Sequence, residues 1–384
     1  MSRNSANGGM NRSLPSRLRS RFEGPNTIGE SRGFWVGFAA AVAALAIYPA
    51  FGDGSQLSLF MVLALLGLSL SVVWGYSGVL SFGQVVFFGI GAYTFGVVSI
   101  NFATPGGITA AVVAGIVGGG LSAAILGYFM FYGGVRDVYV TIITLVSTIV
   151  MHTFMAQTAG SEWAIGEAAL GGFNGMPDIP LLTLGVGGLS YQFIYNPFPM
   201  RILGIGAFEI SPFYYLVLVL LVGTYLGLRA LVNSDYGRVM VAVREDEDRT
   251  EMFGYNVTRV KFVVFTLGGA LAGLSGVLYA ARNVYIDPTV FSLLFATLPV
   301  IWVSIGGRKS LLGAVVATLA VEYLRISMAG ELALVLLGTL LLVTILVLPS
   351  GLVPWLHEQI VDTRLGPGEA GGADTPDAPS EVSD

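Results

Sequence analysis

The chain has 384 residues, of which 54% are hydrophobic and only 11% charged, with a formal charge of -5 and no cysteine. A soluble domain averages about 25% charged residues, so this composition excludes a chain that folds in water alone. The missing cysteine excludes disulfides, thiol nucleophiles and thiolate metal sites.

Residues 1–33 carry six arginines against two acids and read as a solvated, disordered tail. Apolar runs follow at 34–50, 57–74, 79–101, 108–131, 138–158, 212–232, 260–281, 290–305, 311–329 and 332–348. Most approach the ~20 residues that cross a hydrocarbon core; the third is diluted by polar residues and the eighth is short. The first run reads as an uncleaved helix, because its polar lead is long and no small-residue cleavage site follows. With the N-terminus inside, sixteen of the nineteen basic residues fall on the cytoplasmic side, and Arg201, Arg282 and Arg325 fall outside.

The expected architecture is therefore an all-α integral membrane protein, a polytopic bundle of about ten transmembrane helices spanning 34–352, multi-pass in the cell membrane with both termini cytoplasmic. Ten spans divide into two five-helix halves, and odd-numbered halves would be related by an inverted repeat. Residues 158–211 form a long extracytoplasmic loop, 233–259 a charged cytoplasmic loop, and 353–384 an acidic low-complexity cytoplasmic tail.

Chemistry is sparse within the spans. GGRKS at Gly306–Ser310 has Arg308 where a phosphate loop needs glycine, so the chain hydrolyses no nucleotide by that route. His152 and His357 are far apart in sequence, and no cofactor, metal or nucleic-acid partner is expected. Glu322, with Arg325 at i+3, is the exception among nearly absent intramembrane carboxylates; it reads as a mutually neutralising pair, with a gate or proton site as the alternative. Gly115 and Gly119, and Gly269 and Gly273, make stripes that let helices approach closely.

Three stretches look richer. Gly75–Thr94, GYSGVLSFGQVVFFGIGAYT, sets Ser81, Gln84 and Tyr93 among glycines, which points to a bundle interior or a cavity rather than to lipid. Val138 opens VYVTIITLVSTIV, in which Tyr139 precedes Thr141, Thr144 and Thr148 on one helix face. These residues are the candidate path lining, with interhelical glue as the bland alternative. The third stretch is the charged loop, GRVMVAVREDEDRTEMFGYN from Gly237. Its centre suits a short surface helix with Glu245–Arg249 and Arg244–Asp248 as i,i+4 pairs, Val239 and Val243 on one apolar face, and Gly254 as C-cap. Its charges alone fit a solvated connector; the embedded Met252 and Phe253 fit a docking helix.

At this loop the sequence resembles the permeases of the branched-chain amino acid and urea class of ABC importers. GYSGVLSFGQVVFFGIGAY, VYVTIITLVSTIV, GGFNGMPDIP from Gly171 and the charged loop carry the resemblance, in order, between about Leu57 and Leu352. It implies that Gly237, Arg238, Arg244, Glu245, Asp248, Arg249, Met252, Phe253 and Gly254 dock onto two ATPase subunits. It also implies a second, homologous permease subunit, a separate extracytoplasmic solute-binding protein, and an outer segment in which Asn174 joins the path. VIWVSIGGRKSLLGA from Val300 and NVYIDPTVF from Asn283 look closer to the urea branch; Lys309 and Phe173 depart from its wording. The expected function is thus an ATP-driven permease for a small polar solute, urea first, with branched-chain amino acids or short amides as alternatives. An ion-coupled secondary transporter is the rival from another class, and would need mid-membrane charges beyond Glu322–Arg325. A membrane enzyme lacks any clustered nucleophile, base or metal ligand.

Overall fold

The computed structural model describes residues 32–328 apart from 53, 137, 187, 194–197 and 202–206, with a few isolated positions on either side. Most of the tails 1–33 and 353–384, and most of the tenth predicted span at 332–348, lie outside the described residues. The helices are α1 (Arg32–Ile47), α2 (Gly54–Leu70), α3 (Gln84–Asn101), α4 (Pro105–Gly127), α5 (Val138–Ala156) and α6 (Pro212–Val232). Then come α7 (Asp235–Glu245), α8 (Glu247–Met252), α9 (Val257–Asn283), α10 (Leu293–Gly306) and α11 (Leu311–Ser327).

Helix α2 is the axis of the bundle. It is apolar on every side, as a helix surrounded by protein must be, and 83% of its span is buried, against 6% for α1. On one side α9 and α3 pack against it, with α4 lying behind them against both, while α10, α11 and α6 close the other. Glycine sets the spacing on the first side. A Cβ on Gly119 of α4 would lie 2.7 Å from the Cα of Gly273 on α9, and one on Gly91 of α3 would lie 2.6 Å from that same atom. The two stripes read from sequence therefore meet each other, with α3 as a third party.

Helix α1 hangs on the edge. Tyr214 and Tyr215 of α6 donate their hydroxyls to the carbonyls of Leu45 (2.6 Å) and Ala46 (3.1 Å), and Phe38 stacks on Tyr225. Buried Arg229 lies under the rings of Phe34 and Trp35, 4.6 and 5.1 Å from their centroids.

Among the described residues most bases collect at one end of the bundle, hereafter the basic end, where α2 finishes and α7 and α8 lie. At the opposite end Arg282 binds Ser55 and Ser58 at the start of α2. The long 158–211 segment is not bare loop. It carries three two-stranded antiparallel ribbons: β1 (Ala164–Ile165) with β2 (Ala168–Ala169), β3 (Thr183–Val186) with β4 (Leu189–Gln192), and β5 (Phe198–Arg201) with β6 (Ala207–Ile210). The middle ribbon is pinned to α4 by Thr109, whose hydroxyl accepts from Gly185 N–H at 2.9 Å.

The expected ten full spans are not what the described residues contain. Seven helices are long and apolar enough to cross a membrane, or eight if α10 and α11 count as one span; these two meet at 120° across a short break. A helix of 14 residues is ~21 Å long, short of a ~30 Å core. The cause lies in the connector before it: Pro288–Phe291 forms a 3-10 turn beside the middle of α3, where the Phe291 ring occupies the space a Cβ on Gly89 would fill. α10 therefore begins part-way down the bundle.

Gly119→Val should force α4 off α9, because the obstructing atom is backbone and cannot rotate away; overpacking of this kind costs about 1–3 kcal/mol. The thermal midpoint of the detergent-solubilised protein should fall clearly, whereas Gly223→Ala, which meets open space, should leave it unchanged.

Candidate transport site and coupling surface

The Gly75–Thr94 stretch divides into a helix end, a connector and a new helix. After Leu70 the chain of α2 continues as a π-helix over Ser71–Tyr76, Gly78 takes φ +79°, and a short irregular connector ending in a turn at Gly83 leads to α3 at Gln84. Gln84–Asn101 remains long and apolar enough to cross a membrane, and the connector, at the basic end, takes only the first residues of the predicted third span, 79–83. Its backbone is satisfied by α5: Phe82 N–H donates to the Thr144 hydroxyl (3.2 Å), and the Thr141 hydroxyl donates to the Leu80 carbonyl (3.1 Å). Ser81 accepts from Gly83 N–H at 3.1 Å. Gln84 is buried, and its Oε1 accepts from Ser69 at 3.3 Å. Its Nε2 has no partner, nor has the hydroxyl of Ser71 in the π-turn. Buried donors without partners cost about 1–3 kcal/mol each, which sets Gln84 and Ser71 apart from ordinary interhelical glue.

Ser81, Gln84, Thr141 and Thr144 thus form one polar cluster. Thr148 is buried but bonds only to its own helix at Leu145. Tyr139 stands apart, 71% exposed. The exposed seam of α5 is apolar, through Ile142, Val146, Ile149 and Phe154, so the threonine face turns into the subunit and not onto an open surface. Tyr93 and Asn174 belong to a second layer at the opposite end. Tyr93 stacks on Phe291 with centroids 6.0 Å apart, and the carbonyl of Asn174 accepts from the Tyr285 hydroxyl at 2.6 Å. Sequence reasoning missed Ser69, Ser71, Tyr285 and Asp287; the polar serines before Gly75 were the available signal for the first two.

Glu322 is fully buried on α11. Its Oε2 accepts two N–H groups from Arg325, at 2.9 and 2.7 Å, and its Oε1 has no hydrogen-bond partner. The paired reading of these two residues therefore describes half of the carboxylate.

The charged loop folds differently from expectation. Asp246 adopts extended backbone (φ -160°, ψ 106°), ends α7 and caps α8 by accepting from Arg249 N–H at 2.9 Å. That break separates the expected i,i+4 partners. Glu245 instead meets Arg244 and Lys309, Arg249 meets Asp246 (3.6 Å), Arg238 meets Asp235 (3.3 Å), and Asp248 meets Arg136 (3.6 Å). Glu247 pairs with Lys261 of α9, and Arg244 donates to the Gly75 carbonyl at 2.6 Å. One loop is thereby tied to α2, to the α4–α5 connection, to α9 and to the α10–α11 turn. The hydrogen bond and charge of Arg244, with Lys309, hold the Glu245 carboxyl below its ordinary range. The Glu245 ties are therefore complete above the ordinary carboxylate range and are lost as pH falls through the lowered value.

The loop ends as sequence anticipated. Gly254 (φ +86°) donates to Glu251 O at 2.8 Å and Tyr255 to Thr250 O at 3.4 Å, the two bonds of a Schellman motif. Gly237 is required by proximity, since a Cβ there would meet Val232 O at 2.0 Å. Val243 is buried, but Met252 and Phe253 are 87% and 76% exposed at the tip.

Comparison with known proteins accords with a permease. Residues 55–346 match the family described as the permease component of branched-chain amino acid transport systems. The chain belongs to this family. The high-affinity branched-chain amino acid transport system permease protein LivM of Salmonella typhimurium is 29% identical over 331 residues, covering 81% of this chain and 72% of that protein. LivM of Escherichia coli is 29% identical over 324 residues, covering 79% and 70%. The probable LivM of Methanocaldococcus jannaschii is 26% identical over 159 residues, covering 37% and 46%. No solved structure matches. The chain is a multi-pass membrane transport permease, and its relatives are permeases rather than enzymes. The leaning toward the urea branch finds no support in these relatives, which fit the branched-chain alternative better.

Gln84→Leu separates packing from transport. Removing an amide whose Nε2 is unpartnered, and whose Ser69 donor keeps its bond to the Leu66 carbonyl at 2.7 Å, should leave the purified protein as stable or up to about 1 kcal/mol more stable. If Gln84 serves the path, solute uptake should nevertheless fall several-fold. Thermal unfolding and uptake measured on the same variant check the two outcomes, and wild-type uptake would make Gln84 a packing residue.

Proposed function

We propose that the chain is the permease subunit of an ATP-driven importer that carries branched-chain amino acids across the cell membrane by alternating access. The observation that carries this reading is the exposed Met252–Phe253 tip, held on a loop that grips four parts of the bundle. A large apolar pair in a charged surface fits a protein partner, and the resemblance noted in the sequence makes that partner a pair of ATPase subunits. The basic end then faces the cytoplasm, with both termini, and the β-ribbon segment faces an extracytoplasmic binding protein. A second homologous permease completes the path. Ser81, Gln84, Thr141 and Thr144 lie next to the loop through Gly75 and Gly78, where a loop displacement reaches them first. The solute is taken from the three LivM relatives described above, which are named for branched-chain amino acids.

Cells carrying the whole system should accumulate labelled leucine and not labelled urea; the reverse would restore the urea reading. Met252→Asp with Phe253→Asp should leave the permease in the membrane but abolish co-purification of the ATPases, while retention of both subunits would remove the docking role.

Orientation is tested on the natural cysteine-free background. Leu189→Cys, on an exposed ribbon, should react with an impermeant thiol reagent in intact cells, and Arg238→Cys should react only after lysis. The opposite pattern would invert the bundle.

A further inference from the structure

At the end opposite the charged loop, the segment Gly171–Pro180 is stitched onto the connector between α9 and α10. Met176 and Ile286 form an antiparallel bridge, with N–H to O distances of 2.7 and 3.2 Å, and the Tyr285 hydroxyl donates to Asn174 O. The stitch is strained. Val284 sits at φ +55°, a left-handed conformation that a β-branched residue rarely accepts, and such strain collects where function demands a geometry.

What this geometry presents is Asp287. Its Oδ1 accepts from Thr289 N–H at 2.7 Å, capping the Pro288–Phe291 turn. The carboxylate has no ion pair among the described residues; the nearby arginines are engaged, Arg282 with Ser55, Ser58 and Asn283, and Arg325 with Glu322. Tyr93, Tyr279 and Tyr285 all have Asp287 as a charged neighbour. The Tyr93 ring is held flat on Phe291, 18° from parallel, and its hydroxyl, on a side chain 94% buried by its 6% exposure, has no partner. Tyr285 has already spent its hydroxyl proton on Asn174, so it presents ring and lone pair. One carboxylate, aromatic faces and acceptor oxygens are the chemistry that receives an organic cation. No group of three potential metal ligands occurs among the described residues.

We propose that Asp287, Tyr93 and Tyr285 form an arrival subsite that takes the ammonium group of a primary-amine solute. This rests on the amino-acid reading given under Proposed function, and it supplies what a neutral solute such as urea would not use. Asp287 engages the ammonium by charge, Tyr93 accepts one of its N–H groups, and the aromatic faces exclude water.

The importer is reconstituted in vesicles with its ATPases and binding protein, the latter saturated with labelled leucine. Asp287→Asn keeps an oxygen to cap the turn but removes the charge, and should slow uptake about tenfold or more, the range of a charged hydrogen bond. Asp287→Glu should recover most of the rate. Tyr93→Phe keeps the stack on Phe291 and should slow uptake about fivefold. Subunit co-purification and the thermal midpoint of the purified complex should be unchanged in all three. Wild-type uptake by Asp287→Asn, or equal loss in Asp287→Asn and Asp287→Glu, would overturn the subsite. Failure of the unsubstituted importer to carry leucine would instead overturn the amino-acid reading itself.

Discussion

Helix α2 turns π-helical over its last six residues, and the Gly75 carbonyl left at that end is taken by the guanidinium of Arg244. A π-turn leaves carbonyls outside the regular ladder, and such groups need a donor when buried. Arg244 supplies it from a different helix, with its own side chain only 15% exposed. The same contact sets Gly78 against Arg244, seats the connector that threonines of α5 satisfy, and places Glu245 within reach of Lys309. The Tyr76 hydroxyl then donates to the Lys309 carbonyl, and Arg308 lies over the Trp74 ring. The central helix, the charged loop and the α10–α11 turn therefore share one junction. A rigid displacement of any one of them has to be accommodated by the other two, because close-packed interiors transmit strain rather than absorb it.

The two ends of the bundle are built on different principles. The basic end is joined by charges and side-chain hydrogen bonds, interactions that are screened and adaptable when exposed. The opposite end is joined by backbone bridging and glycine contacts, as at Gly175, where a Cβ would meet Ile286 O at 2.4 Å. Contacts of that kind either fit or separate.

Much of this was legible in the sequence. The membrane class followed from apolar runs, and Gly254 as a cap followed from its place after Met252 and Phe253. The glycine stripes were visible, though not that Gly119 and Gly273 would face each other, since stripe partners are decided by tertiary packing. Asp246 was misread because charge spacing favoured one helix, while an aspartate three residues before Arg249 could equally stop one helix and cap the next. The eighth span failed for a related reason: hydropathy counts apolar residues but not depth, and Asp287–Pro288 starts a turn already inside the bundle. Asp287 itself gave no signal, because Tyr285 beside it in NVYIDPTVF is an ordinary neighbour and Tyr93 lies far away in the chain.

Helix α1 touches the rest of the described chain chiefly through α6, and the bond from Tyr214 to Leu45 joins residues 169 positions apart. During synthesis at roughly 5–20 residues per second, the first helix is complete for roughly 10 to 30 s before its partner exists. It can wait in lipid because a helix satisfies its own backbone there. Its low burial is thus suited to a segment that is inserted alone and docked late, once the aromatic and arginine contacts of α6 are there to receive it.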